Sequence, residues 1–214
     1  NILANTQQKA KSIELVPYTR ETEEAVETYI EKQAINQTKL HIGYKIPVTI
    51  ESPDYIQQKL AIDVFGGGTQ SKLFQEVREK ASLAYYASAS MDAYAQAMYV
   101  YAGIDEKNAE KAQAFIDKQI ECMQQGEITD EELSIAIITA THRLSAIQDT
   151  QGGCIMLHRT LSRLAGIETV EQWQAALKKV TKDDVVQAAK TWKKDTVFML
   201  VPEESNQTEN EEVE

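Results

Sequence analysis

Apolar and polar residues alternate strictly along one segment: Leu40, Ile42, Tyr44, Ile46 and Val48 fall on one side, and His41, Gly43, Lys45 and Pro47 on the other. This period of two predicts a strand with one buried face. Pro47 cannot donate to a ladder, which places the strand's end near a sheet edge. Upstream the pattern is ambiguous. Ala25, Val26, Tyr29 and Ile30 fit a helix face, whereas Val26, Thr28 and Ile30 alternate as a strand would, so periodicity leaves residues 1–33 open.

Downstream, Ser52-Pro53-Asp54 reads as a helix start with Ile56, Leu60 and Val64 along one side. Gly66-Gly67-Gly68 is expected to stop that helix and to supply positive φ at a tight corner. A second helix follows from about residue 70 to residue 80, with Leu73, Phe74 and Val77 inward. Two runs rich in Ala, Tyr, Val and Ser, 83–90 and 97–103, read as an antiparallel hairpin with Asp92 and Ala93 between them.

From residue 108 the period changes to 3.6. Ala112, Phe115, Ile116, Ile120 and Met123 make one stripe. Thr129 with Glu132 forms a capping box before Leu133, Ala136, Ile137, Ala140, Leu144 and Ile147. Gly152-Gly153 is expected to break the chain before a helix over 155–164. Thr169 with Gln172 is a further box, ahead of Trp173, Ala176 and Leu177, and Thr181 caps a last helix that buries Val185, Ala189 and Trp192. Residues 196–201 form a final apolar strand, stopped by Pro202.

Hairpin-linked strands and clustered helices predict an α+β fold, an antiparallel sheet packed against helices with a helix-rich C-terminal part, rather than a doubly wound parallel sheet. No internal repeat is visible. Residues 1–202 are expected to form one domain, and 203–214, with six Glu and no base, an acidic, disordered tail.

Composition narrows the function classes. The chain has 214 residues, 43% hydrophobic and 26% charged, enough for a sizeable core. No apolar run approaches the ~18 residues of a membrane helix. Lys and Arg number 22 against 33 Asp and Glu, a net charge of −11 with no basic stripe, which argues against nucleic-acid binding. Cys122 and Cys154 form no CxxC pair, which suggests a reducing, cytoplasmic setting. The chain opens Asn1-Ile2-Leu3, with neither Met nor a basic cap and apolar block, so a piece of a longer polypeptide without a secretory leader is expected.

Common catalytic patterns fail on this chain. After Gly66 the phosphate-loop spacing lacks its second glycine and the hydroxyl after Lys72, and the dinucleotide fingerprint should follow a strand, not a helix. His41, His142 and His158 lack the paired spacing that puts two metal ligands on one helical face, so no metal site is expected in this chain. There is no G-x-S-x-G elbow, and neither cysteine has a histidine nearby in sequence.

One stretch is distinctive: Phe65-Gly66-Gly67-Gly68-Thr69-Gln70-Ser71-Lys72-Leu73-Phe74-Gln75-Glu76-Val77-Arg78-Glu79-Lys80-Ala81-Ser82-Leu83-Ala84-Tyr85. It resembles the second-half signature of the insulinase, pitrilysin and mitochondrial-processing-peptidase family of zinc endopeptidases, in the wording of its bacterial processing-protease-type members. The signature is a Gly-rich corner, a small and a basic residue, Leu-Phe, then Arg-Glu, a basic residue and Leu-Ala/Gly-Tyr. The flanking layout agrees from the strand at Leu40 to Val201.

The resemblance implies a division of labour. Two similar α+β halves close as a clamshell around a peptide. The first half carries an inverted zinc motif, H-x-x-E-H, which is absent here. Zinc is therefore expected in the N-terminal half or in a homologous partner chain, and this chain alone is expected to be inactive. The second half contributes an Arg and a Tyr seven residues apart, positions matched by Arg78 and Tyr85. The implied roles are peptide contacts: a phenol hydroxyl can donate to a developing oxyanion, and a guanidinium can hold a neighbouring carbonyl. The alternative implied by the same family is a noncatalytic scaffold or partner subunit that has lost the metal motif. On the residues alone, Arg78 could be a surface ion-pair residue and Tyr85 a plain strand residue. Tyr86, Tyr94, Tyr99 and Tyr101 could line a cleft or serve as ordinary strand residues.

Overall fold

The computed structural model describes residues 25–203. Most of the expected acidic tail therefore lies outside the described residues. Five strands, β1 (Glu27–Gln33), β2 (Thr38–Lys45), β3 (Ala84–Asp92), β4 (Ala97–Ile104) and β5 (Lys193–Pro202), form one sheet in the order β1-β5-β2-β4-β3. Neighbours run antiparallel except β1 and β5, which are parallel, with Glu27 opposite Thr196 and Gln33 opposite Pro202. Of the ambiguous N-terminal stretch, Glu27–Gln33 is thus an edge strand, and residues 1–24 lie outside the described residues. The fold is α+β, with one parallel pair at the edge of an otherwise antiparallel sheet.

The helices are α1 (Tyr55–Gly66), a π-helix (Leu73–Lys80), α2 (Ala109–Gln125), α3 (Asp130–Ala146), α4 (Gln151–Leu161), α5 (Val170–Leu177) and α6 (Lys182–Lys190). The alternation of β2 does what it predicts: Leu40, Ile42 and Tyr44 are buried, and the buried series continues through Ile46 and Val48 beyond the strand's end. α1 lays Ile56, Leu60, Val64 and Phe65 into the same core, where Phe65 meets Trp192 at 5.4 Å between ring centroids.

Helix starts follow the sequence closely. Thr129 Oγ1 accepts from the Glu132 amide while the Glu132 carboxylate accepts from the Thr129 amide, and Thr169/Gln172 and Thr181/Asp184 repeat the box. Each box satisfies amides that the first helical turn leaves unpaired. Two expectations are corrected. Gly152 and Gly153 do not precede a helix but occupy the first turn of α4, where Thr150 Oγ1 accepts from the Gly153 amide. The glycine corner at 66–68 does not use positive φ; among the described glycines only Gly126 and Gly166 do. Its requirement is close approach: a Cβ on Gly66 would lie 2.5 Å from Ala89 Cβ, so glycine lets α1 press onto β3.

A buried polar clasp ties the first helix to the last. The Gln58 side chain is 1% exposed; its Oε1 accepts from Trp192 Nε1 at 3.0 Å and its Nε2 donates to Thr191 Oγ1 at 2.8 Å. Trp192 itself sits just beyond α6, between that helix and β5.

Candidate functional site

The segment from the glycine corner to β3 is braced from outside. Arg143 on α3 donates to the Gly67 carbonyl and pairs with Asp63 at 3.2 Å, and Asp63 also takes Lys59 at 2.9 Å. Lys72, almost wholly buried, reaches Glu132 at 2.8 Å. Burial alone would raise the Glu132 pKa, but its bonds to Lys72 and Thr129 more than offset this and hold it below the usual carboxylate value. The capping carboxylate of α3 therefore also anchors the start of the π-helix.

The next eight residues wind with i→i+5 bonds, as in the donation of the Ala81 amide to the Glu76 carbonyl at 3.1 Å. Leu73 and Val77 face the core. Phe74, expected inward, is only half-buried. Its ring instead carries the Arg78 guanidinium, 4.4 Å from the centroid. Arg78 also pairs with Glu79 at 3.3 Å and keeps 39% of its side chain exposed. Its planar fork retains donors that these two contacts do not consume.

The chain then reverses at Ser82, with φ 50°, and the Leu83 amide donates to the Val77 carbonyl at 3.0 Å. β3 begins with a bulge: Ala84 pairs with Ile104 and Tyr86 with Gly103, which leaves Tyr85 as the extra residue. A bulge re-aims side chains at a sheet edge, and here both Tyr85 and Tyr86 are exposed, at 60% and 40%. Tyr86 lies over Gly103, where any Cβ would collide with its ring. Tyr85 donates its hydroxyl hydrogen to Asp105 Oδ1 at 3.0 Å; that bond, reinforced by the carboxylate's charge, raises the phenol pKa.

Both motif residues are therefore on the surface, at adjoining ends of the π-helix and β3. No hydrogen bond or ring contact joins one to the other among the described residues; each has its own partner. Asp105 escaped the sequence reading, although it directly follows the strand opposite Ala84 and was reachable by pairing the hairpin. The Phe74–Arg78 platform carried an i,i+4 signal that was also available.

The remaining tyrosines divide. Tyr99 and Tyr101 lie with His41 and Phe198 along a trough of about 920 Å³ on the outer sheet face, His41 meeting Tyr101 edge-on at 4.9 Å. Burial and then nearby Lys39 lower the His41 pKa. Tyr94, at the hairpin turn, stacks with Arg159 at 5.5 Å and Arg163 at 5.2 Å. Among the described residues no group of three or more His, Cys, Asp or Glu side chains is placed to hold a metal ion, so they do not fit zinc.

The profile of the Peptidase M16 inactive domain matches residues 3–139. The chain belongs to this family. The M16 domain is 31% identical over 172 residues to the "Probable inactive metalloprotease YmfF" of Bacillus subtilis (strain 168), an alignment covering 80% of this chain and 40% of that protein. Among solved structures, a conserved protein from Enterococcus faecalis V583 superposes with a TM-score of 0.80 at 28% identity, covering 87% of this chain and 44% of that one. A protease from Helicobacter pylori shares the fold, with a TM-score of 0.74 at 21% identity and coverages of 87% and 47%. The M16 domain thus spans less than half the length of each of these relatives.

Proposed function

We propose that this M16 domain is the peptide-holding half of a two-half protein, closing over an extended polypeptide presented by the other half. The observation that carries the reading is the exposure of both motif residues. Arg78 is propped on Phe74 with donors to spare, and Tyr85 is turned outward by a bulge, where a structural residue would be packed inward. Arg78 takes a peptide carbonyl, and Tyr85 a neighbouring backbone group. Any zinc belongs to the partner half, and with it any bond cleavage.

The test is binding of a pool of fluorescein-labelled, unstructured peptides to the full-length protein, followed by anisotropy. Arg78→Ala is expected to weaken binding roughly tenfold, the value of one charge-assisted hydrogen bond, with unchanged thermal stability. Equal binding by the variant would end the proposal.

A second reading, that the whole protein holds peptides without cutting them, is favoured by the relative described as an inactive metalloprotease. Hydrolysis of the same pool by zinc-supplemented full-length protein separates the two. Cleavage removes the noncatalytic reading and leaves the holding role in place.

A further inference from the structure

The two edges of the sheet are built differently. β1 carries Glu27, Glu31 and Lys32 within seven residues. Charged side chains on an edge strand discourage another strand from pairing with it. β3, at the opposite edge, has one charge in nine residues, Asp92, and neither lysine nor proline. Asp92 stands at the strand's end, where its carboxylate accepts from the amides of Tyr94 and Ala95 at 2.9 and 3.0 Å. On one side β3 pairs with β4, from Tyr86 opposite Gly103 to Asp92 opposite Ala97. On the other side, no described residue makes a hydrogen bond to the backbone of residues 86–91.

We infer that residues 86–91 of β3 are a docking edge, at which an extended peptide pairs as an added strand and is recognised through its backbone. This rests on the peptide-holding reading above but needs neither Arg78 nor Tyr85. In an antiparallel ladder, alternate residues turn their N–H and C=O groups away from the partner strand. Six residues at ~3.3 Å each give about 20 Å of such template. From Ala87 to Ser90 the side chains are only alanine and serine, so neither face of the edge sets a bulky group in the path of an incoming strand. The ligand class follows from the same groups. An added strand must be extended and must donate at alternate residues, which suits an unstructured, proline-poor segment and excludes a segment held in a helix.

Hydrogen–deuterium exchange by mass spectrometry reads the edge directly, on the full-length protein with and without a saturating amount of the tightest peptide from the labelled pool. The open amides of residues 86–91 are expected to slow about tenfold or more on binding, because a paired amide exchanges only after an opening step. The fragment spanning β1 is expected to stay unchanged. An N-methyl scan of the peptide supplies a second readout. Each N-methyl group removes one N–H donor, so affinity is expected to fall about tenfold at alternate positions and little between them. That period of two is expected to persist in Arg78→Ala. Peptide binding with unchanged exchange at β3, or N-methyl losses without a period of two, overturns this inference alone. Protection of β3 that is present without peptide and grows with protein concentration assigns the edge to a second copy of the chain and overturns it too. Absence of peptide binding overturns the holding reading as well.

Discussion

Gln58 and Tyr85 each reach a partner distant in sequence through a side-chain hydrogen bond of 3.0 Å, one with Trp192 and the other with Asp105. Gln58 is 1% exposed and Tyr85 60%. Around Gln58 no water can replace a lost partner, so every donor and acceptor must be matched within the fold, and the bond contributes to stability. Around Tyr85 water competes for both groups, so the bond adds little to stability but leaves the oxygen open to another molecule. Bond length is the same in both places; burial decides whether the bond holds the fold together or presents a surface to a ligand.

The largest effect is expected at the clasp. Gln58→Leu leaves the Trp192 N–H without its partner inside the core and removes the donor to Thr191. A loss of about 3 kcal/mol is expected, measured by urea denaturation. A cost below about 1 kcal/mol would mean that the two bonds do not differ in kind.

Next comes the glycine corner between the two regions. Gly66→Ala drives a methyl into Ala89 and is expected to cost about 1–3 kcal/mol through overpacking. Gly68→Ala is expected to be near neutral, because its nearest neighbour is the flexible end of Arg143 at 3.4 Å. Equal effects at the two positions would remove close packing as the reason for the corner.

Alkaline titration sharpens the contrast between buried and exposed phenols. Burial first, then the charges of Asp63 and the neighbouring Tyr94, push the Tyr55 pKa up to about 12, and burial likewise raises that of Tyr44. An unfolded phenol releases its proton near pH 10. Above that pH the unfolded chain binds fewer protons than the folded one, so stability falls as pH rises from about 10 towards 12. Tyr55→Phe is expected to flatten that fall in urea titrations at stepped pH. Tyr85→Phe, which removes a phenol raised chiefly by an exposed hydrogen bond and not by burial, is expected to flatten it less.

The smallest expected change is in the stability of Tyr85→Phe and Asp105→Ala, within about 0.5 kcal/mol of the parent by thermal melting. A larger loss would move the exposed pair into the structural class with Gln58.

How far the sequence reached follows from the range of each interaction. Capping boxes are local, so Thr129/Glu132 and Thr169/Gln172 were legible outright, as was the buried face of β2. The parallel docking of β1 on β5 joins segments far apart in sequence, and nothing in the polar, ambiguous 27–33 pattern specifies it. The π winding was hidden because it differs from an α-helix by a small change in pitch. At the site, the family-like motif pointed to Arg78 and Tyr85, but Asp105 stands twenty residues on and joins Tyr85 only through the hairpin register.

The parallel edge pair also sets how the domain carries tension. The chain enters β1 at Glu27 and leaves β5 at Pro202, and these residues lie at opposite ends of the shared ladder. At ~3.3 Å per residue that ladder is about 20 Å long. A pull applied across the two ends would slide β1 and β5 past each other, loading their interstrand bonds together instead of peeling them one at a time. Under stretching, this edge behaves as a shear clamp, and rupture is governed by the unfolding rate along that axis.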